Sequence, residues 1–312
     1  GNAGQPALFL AIYMGLTAIV VMLGVEKGIE KVSKIMMPVL VLITVIIAGY
    51  SLTIDGAIDG LIYYVKPNFA DFSIKTVIAA MGQLFYSMSL AMGIMITYGS
   101  YMRKEDNLET SVRQIEIFDT GIAFLSGMMI IPAVFAFSGG DASAINAGPG
   151  LMFVTLPKVF ATMAGGKTIG TIFFFLVALA ALTSSISLME TIVSVLSEKL
   201  KFKRITICII VIAFSFMIGM LSVLGYSSWA EVEIMGRQLL DFFDFISNSI
   251  IMPIVALLTC ILIGYVAKPE YVEEEVQLNS KFKSKKMYRV MLKYVAPVCM
   301  VVIFLSAVFG IV

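Results

Sequence analysis

Residues 82–104 read GQLFYSMSLAMGIMITYGSYMRK, an apolar stretch long enough to cross a bilayer but with hydroxyl-bearing residues and glycines at its centre. The polar residues gather at positions 87–93, where Gly93 weakens a helix. A helix interrupted there would free main-chain carbonyl and amide groups for binding at mid-membrane. Serines and threonines in membrane helices also bond back to a carbonyl one turn earlier without any further role, so the pattern alone leaves both interpretations open.

The composition predicts that the chain lies in a membrane and contacts lipid. Of its 312 residues, 59% are apolar and only 14% are charged, which is more apolar surface than a soluble domain can bury. The chain has no histidine, which excludes histidine-ligated haem and zinc and any Ser-His-Asp triad, and we expect no enzyme. Its net charge of +1 gives no field that would attract nucleic acid, so we expect no nucleic-acid partner.

Hydropathy predicts eight membrane spans, most of them near the ~20 residues that cross hydrocarbon. The predicted spans are residues 8–24, 35–52, 77–98, 117–137, 169–195, 205–224, 239–266 and 290–309. The segment 51–75 is broken by Gly and Pro and is interpreted as a solvated loop. The segment 137–167 is too interrupted to span, so we expect a re-entrant or capping helix pair there, with a plain loop as the alternative.

Basic residues predict the orientation of the chain. Most of the 22 Lys and Arg residues follow the first, third, fifth and seventh spans, which places those segments in the cytoplasm and the N-terminal end outside. The chain begins at Gly1 with neither a methionine nor a signal peptide. We therefore expect a fragment, and an outside start fits the loss of an odd number of helices.

The fifth span contains a candidate cation site. Within ALAALTSSISLME, the residues Ala180, Thr183 and Ser184 stand at i, i+3 and i+4, so one carbonyl and two hydroxyls share a helix face. Neutral oxygen ligands suit a weakly bound monovalent cation and carry too little charge for calcium. Helix packing by small residues is the alternative, and the spacing does not decide between the two.

Acidic residues in or beside the spans are the other candidates. Asp119 begins the fourth span, and a carboxylate at bilayer depth is expected to be functional or paired, with a solvated helix N-cap as the alternative. For Glu190 in the fifth span we expect a structural hydrogen bond. Asp241 and Asp244 open the seventh span, where the helix dipole favours acids and where one of them could form a gate.

Six stretches together resemble the neurotransmitter:sodium symporters in their short bacterial form, which have eleven helices. They are GVEKGIEKVSKIMMP at 24–38, the stretch at 82–104, FDTGIAFLSGMMIIPAVFAF at 118–137, AGPGLMFVTLPKVF at 147–160, ALTSSISLME at 181–190 and DFFDFISNSIIMPI at 241–254.

The resemblance implies an all-α polytopic helix bundle of the inverted-repeat transporter type, in which this chain matches the fourth to eleventh helices. It further implies one transmembrane domain over 1–312, with three N-terminal helices of the same protein missing. In this scheme residues 1–52 end the first repeat and 77–266 form the second. Residues 137–167 cap the bundle outside, and 287–312 form the final helix.

The resemblance also implies a substrate site at a helix break over Ser89–Gly93. The Tyr86 and Ser87 carbonyls and the Ser89 hydroxyl would bind the substrate ammonium, and Tyr86 would be an aromatic lid. The side-chain pocket would be lined by Met92, Ser184 and Leu188. Many relatives carry Gly-Phe-Gly where this chain has Ala-Met-Gly at 91–93, which bears on substrate size.

Two sodium sites and two gates are implied in the same way. Ser87 and Asp119 would bind one sodium ion, and the Ala180 carbonyl with Thr183 and Ser184 would bind the other, each completed by a missing helix. The gate positions are Asp244 with Tyr86 on the outside and Ser100, Tyr101 and Glu198 on the inside, where relatives of Glu198 often carry Asp. Animal members place a chloride-binding serine where this chain has Ala123, so we expect no chloride and no organic cofactor.

The function implied is sodium-coupled symport of a neutral, apolar or aromatic amino acid by alternating access, in the bacterial inner membrane. A proton-coupled or exchange carrier of related fold is one alternative. A non-transporting truncated or sensor protein is another. A channel is disfavoured because no span shows a ring-forming polar stripe.

Overall fold

The computed structural model describes residues 3–70, 72–141, 148–279 and 281–310, and these are almost entirely helical. The α-helices are α1 (Gly4–Met22), α2 (Lys31–Ser51), α3 (Ala57–Val65), α4 (Ile74–Ser87), α5 (Ile94–Ser100), α6 (Leu108–Phe137), α7 (Gly148–Gly150), α8 (Leu156–Thr162), α9 (Gly166–Leu200), α10 (Arg204–Gly225), α11 (Leu239–Asp244), α12 (Met252–Ile261), α13 (Glu270–Gln277), α14 (Lys285–Val290) and α15 (Ala296–Val308). π-Helical turns extend or join neighbouring helices at Val25–Glu30, Leu151–Thr155, Phe245–Ile251, Leu262–Val266 and Met291–Val295. Two short strands, β1 (Glu233–Ile234) and β2 (Arg237–Gln238), pair antiparallel.

Seven helices of the described residues are long and apolar enough to cross a membrane. They correspond to seven of the eight predicted spans, and the seventh predicted span coincides with the helix Leu239–Val266. The remaining prediction, 77–98, is divided into the two separate helices α4 and α5. The predicted all-α fold with a helix interrupted at Ser89–Gly93 is therefore confirmed.

Contacts between residues divide the chain into two compact units. Unit one comprises Gly1–Met22, Phe72–Glu116 and Ser187–Val312. In this unit α1 packs along α10, and α15 packs on both α12 and α4. The buried side chains of Val21 and Cys208 lie in this apolar packing. The domain scheme inferred from the resemblance stays a prediction.

Unit two comprises Leu23–Asp71 and Ile117–Ile186 and has a core of its own. The buried core residues are Ile47, Ala48, Met129, Ala133, Val134, Leu156, Val159, Phe160, Phe173 and Leu176. The Phe160 ring lies 5.2 Å from that of Phe173, so aromatic packing contributes to joining α8 to α9.

The prediction of a solvated loop over 51–75 is wrong in its middle, where α3 forms and packs on α6. A Cβ atom on Gly60 would lie 2.8 Å from the Pro132 main chain, so only glycine permits this approach. The Tyr63 ring stacks on Phe135 with centroids 5.5 Å apart. The helix α3 is stabilised by burial of one short apolar face against α6. The Gly and Pro residues near its two ends favoured the prediction of a loop.

The segment 137–167 contains the helical stretch from Gly148 to Thr162, in which Leu156, Val159 and Phe160 are buried. Residues 142–147 of this segment lie outside the described residues. The capping role therefore stays a prediction.

A cluster of charges joins α13 to the start of the last membrane helix. The Glu273 side chain is only 1% exposed and accepts hydrogen bonds from the Arg289 guanidinium at both carboxylate oxygens, and Lys285 Nζ lies 2.8 Å from Oε2. The hydrogen bond from Arg289 lowers the pKa of Glu273 to about 2, against its ordinary 4.5. The carboxylate is therefore ionised throughout the neutral range.

We expect this cluster to lose its stabilising effect only in acid. Because the pKa of Glu273 is lower in the folded protein, its contribution is complete above about pH 4.5 and disappears as the pH falls towards 2. Thermal unfolding in detergent should show Glu273→Gln less stable than wild type at pH 7, with a smaller difference at pH 3. A difference that grows on acidification would contradict this assignment.

Candidate functional site

The break between α4 and α5 is built from left-handed backbone. Ser89, Ala91 and Gly93 have φ values of 53°, 65° and 78°. This region suits glycine, whereas a residue with a Cβ atom pays roughly 1–2 kcal/mol there. Ser89 and Ala91 adopt this left-handed conformation because the two half-helices and the turn fix the backbone. Such strain is characteristic of binding sites.

The carbonyl end of α4 faces the break. The Ser89 amide donates to the Tyr86 carbonyl at 3.0 Å and the Leu90 amide donates to the Phe85 carbonyl at 3.2 Å. The Met88 amide also donates to the Tyr86 carbonyl, so this predicted ligand accepts two hydrogen bonds within the turn. The negative end of the α4 dipole favours a cation here. The binding of a substrate ammonium group at these carbonyls stays a prediction.

The break packs directly on α9. A Cβ atom on Gly93 would lie 3.0 Å from Cγ2 of Thr191, a closer approach than side chains normally tolerate. Glycine is therefore favoured at position 93 both by the backbone conformation and by this contact.

Substitutions at 91 and 93 should act in opposite directions. Gly93→Ala adds strain at positive φ and crowds Thr191, and we expect it to destabilise the protein by about 1–3 kcal/mol. Ala91→Gly removes strain and should be neutral or stabilising by up to about 1 kcal/mol. Thermal unfolding midpoints in detergent measure both changes. Two substitutions of the same sign and size would show that the break is not strained as described.

The three oxygens of the candidate cation site on α9 do lie together. The Thr183 hydroxyl donates to the Ala180 carbonyl at 2.9 Å, and the Ser184 hydroxyl donates to the same carbonyl at 3.2 Å. This geometry is what helical back-bonding alone would also produce, so the sodium role stays a prediction.

Asp119 lies inside α6, and the N-cap alternative for it is wrong. The helix begins at Leu108, about three turns earlier, and Asn107 caps it by accepting a hydrogen bond from the Thr110 amide at 3.0 Å. The first turns of α6 are polar, so hydropathy located only the apolar part of the helix and not its start at Leu108. An aspartate so far within a membrane helix is a candidate for a functional group.

A buried network joins α5 to α9 and α10, and sequence reasoning found only part of it. Glu190 is 0% exposed and accepts a hydrogen bond from the Tyr101 hydroxyl at 2.7 Å. The Arg204 guanidinium also donates to Glu190, and it donates to the Val21 carbonyl at 2.8 and 3.0 Å. Tyr98 adds a second link, 2.7 Å from the Ser187 hydroxyl. Glu190 has the structural role expected of it. Its partner Arg204 was missed, although an arginine opening the next apolar span was the available signal.

The remaining gate candidates lie in simpler surroundings. The Ser100 hydroxyl donates to the Thr97 carbonyl at 2.6 Å, within α5. Asp244 accepts a hydrogen bond from the Asn248 side chain at 2.6 Å. Glu198 is exposed near the end of α9 and forms no ion pair with the described residues. The gate roles of these residues, and of Tyr101, stay predictions.

The predicted site residues belong to both units. Tyr86, Ser87, Ser89, Met92 and Leu188 are in unit one; Asp119, Ala180, Thr183 and Ser184 are in unit two. Ser184 and Leu188 are one turn apart on α9 and share a face of that helix. The binding roles of all these residues stay predictions.

Membrane-length helices with one helix broken by strained backbone are characteristic of secondary transporters. The profile of the sodium:neurotransmitter symporter family matches residues 1–311, and the chain belongs to that family. The predicted family is thereby confirmed.

Relatives support the same placement. The chain is 33% identical to an uncharacterized sodium-dependent transporter of Haemophilus influenzae, over 99% of this chain and 67% of that protein. It is also 33% identical to the uncharacterized sodium-dependent transporter YhdH of Bacillus subtilis, over 98% of this chain and 68% of that protein. The chain thus spans about two thirds of the length of these relatives.

A solved structure confirms the predicted transporter fold. The crystal structure of MhsT in complex with L-phenylalanine superposes with a TM-score of 0.87 at 34% identity. The match covers 98% of this chain and 69% of that one. The chain is a multi-pass membrane protein of a sodium-dependent transporter family.

Proposed function

We propose that the natural protein takes up a neutral amino acid with an apolar or aromatic side chain, driven by sodium, by alternating access. The observation that carries this proposal is the helix break, where left-handed backbone separates α4 from α5 in a chain of this family. The cargo is released unchanged, and no step needs covalent chemistry.

The substrate ammonium binds at the end of α4, to the Tyr86 and Ser87 carbonyls and the Ser89 hydroxyl. The side chain of the substrate enters the pocket of Met92, Ser184 and Leu188, which has no charged residue. A charged side chain would lose its hydration there without gaining a partner, at a cost of several kcal/mol. MhsT, which is similar in fold, was solved with L-phenylalanine, and this supports an aromatic substrate.

Sodium binds at two places in this proposal. Ser87 and Asp119 form one site, and the Ala180 carbonyl with Thr183 and Ser184 forms the other. The family resemblance assigns the remaining ligands to preceding helices of the same protein. Asp119 supplies fixed negative charge near the ions and Ala123 has no hydroxyl, so chloride is not required.

Alternating access requires gates at both ends of the site. Tyr86 and Asp244 close it on the outside, and Ser100, Tyr101 and Glu198 close it on the inside. In this proposal the protein lies in the bacterial inner membrane. The distribution of basic residues places the N-terminal end of this chain outside.

Competition for uptake tests the substrate class. In vesicles containing the full-length protein and an inward sodium gradient, phenylalanine and leucine should compete with labelled substrate at least tenfold better than glutamate or lysine. Preference for a charged amino acid would contradict the pocket assignment. Uptake driven by a proton gradient without sodium would instead favour the proton-coupled alternative, and no uptake at all would favour the sensor.

A further inference from the structure

The loop between α5 and α6 is a tight turn. The Arg103 amide donates to the Asp106 carboxylate at 2.8 Å, and the Asp106 amide donates to the Arg103 carbonyl at 3.0 Å. The next residue, Asn107, caps α6. The loop is therefore an ordered link at the end of α5 away from the break.

A distant segment holds this loop. The side-chain amide of Asn279 donates to the Lys104 carbonyl and, at 3.1 Å, to the Asp106 carbonyl. In return, the Asn107 side chain donates to the Asn279 carbonyl at 3.4 Å. We call these three hydrogen bonds between Asn279 and residues 104–107 the asparagine clasp.

The clasp has a firm anchor on one side. Asn279 follows α13 by two residues, and α13 is fixed to the last membrane helix by the ion pairs of Glu273 with Lys285 and Arg289. Glu273 is buried in this arrangement, and its two ion pairs fix α13 to the start of that helix. The clasp itself is exposed and formed of uncharged polar groups, side-chain amides and main-chain carbonyls. Each of its bonds is weak enough to open and re-form.

The helix α5, which precedes the loop held by the clasp, depends on contacts with neighbouring elements. α5 has seven residues, too few to be stable by its own hydrogen bonds, and it begins at the strained break. Its position is set by the links from Tyr98 and Tyr101 to α9 and by the clasp at its far end. All of these elements belong to unit one.

We propose that Asn279 is a positioning residue for transport: through the asparagine clasp it holds the inner half-helix α5 in place, and the clasp opens when α5 moves. This proposal rests on the proposed transport function. Nothing in it requires Asn279 to touch substrate or sodium, because the clasp lies at the opposite end of α5 from the break.

The test compares two isosteric changes in the full-length protein. Asn279→Asp keeps the shape but replaces the donor with an oxygen that faces two carbonyls. The matched control is Gln277→Glu, because the Gln277 amide donates to the Glu273 carbonyl within α13 itself. Asn107→Asp is a second variant that keeps the α6 cap acceptor and loses only one bond of the clasp.

Hydrogen exchange gives the first readout. In Asn279→Asp, amides of residues 94–107 should exchange about tenfold faster, and in Asn107→Asp by a smaller factor, whereas residues 204–225 should be unchanged. The control should match wild type in both regions. Unchanged exchange at 94–107, or an equal increase at 204–225, would overturn the proposal.

Transport gives the second readout. The maximal uptake rate of Asn279→Asp should fall at least threefold while the KM for substrate changes less than twofold, because the binding residues are untouched. Equal maximal rates in Asn279→Asp and the control would also overturn the proposal. A wild-type protein without sodium-driven uptake would refute the proposed function, while the exchange comparison would still decide whether the clasp holds α5.

Discussion

Asp119→Asn is expected to reduce sodium-driven uptake by the full-length protein at least a hundredfold. The carboxylate lies about three turns inside α6 and is a ligand of the proposed sodium site. The attraction between unit charges 4 Å apart is about 4 kcal/mol at an effective dielectric constant of 20. The neutral amide keeps the shape and an oxygen ligand but loses the charge. A hundredfold loss corresponds to about 2.7 kcal/mol, within the range that this attraction supplies.

Two controls separate this effect from general damage. Glu109→Gln makes the same change of charge in the first turn of the same helix and should retain most of the uptake. Replacing chloride by gluconate should leave wild-type uptake unchanged, because Ala123 cannot bind an anion through a hydroxyl. Full activity of Asp119→Asn, or a wild type that stops without chloride, would refute this account of charge compensation.

Arg204→Met is expected to lower the free energy of unfolding by about 3–5 kcal/mol, the largest effect on stability that we expect in this chain. The substitution leaves the fully buried Glu190 carboxylate without its cationic partner, although the Tyr101 hydroxyl still donates to it, and it removes two hydrogen bonds to the Val21 carbonyl. An uncompensated buried charge is costly, whereas the loss of an exposed ion pair is not. Chemical denaturation in detergent measures the change.

Two further variants serve as controls, one that removes both charges of this buried pair and one that breaks an exposed ion pair. Adding Glu190→Gln to Arg204→Met removes the stranded charge and should recover most of the lost stability. Lys34→Met breaks the ion pair with Glu30, in which the Lys34 side chain is 74% exposed and the Glu30 side chain 51% exposed. This substitution should lower the free energy of unfolding by less than about 1 kcal/mol. If Arg204→Met costs no more than Lys34→Met, the pair with Glu190 does not stabilise the protein as the structure indicates.

The membrane helices could be predicted from the sequence because transfer into hydrocarbon depends on the composition of each segment alone. The helix Leu239–Val266 was predicted at both ends, and the interruption at Ser89–Gly93 was indicated by clustered polar residues beside a glycine. The convergence of Ala180, Thr183 and Ser184 likewise follows from helical spacing within one segment. Such features need no knowledge of neighbours.

Contacts between distant segments were decided only by the tertiary structure. No local pattern predicts that Ala91 adopts a left-handed conformation, since that cost is met only when both flanking helices are fixed. The partner of Glu190, the approach of α3 to Pro132 and the asparagine clasp each depend on which helices become neighbours. Asn279 and Lys104 are 175 positions apart. Their hydrogen bond forms because helix packing brings the two segments together, and no pattern in the sequence around either residue predicts it.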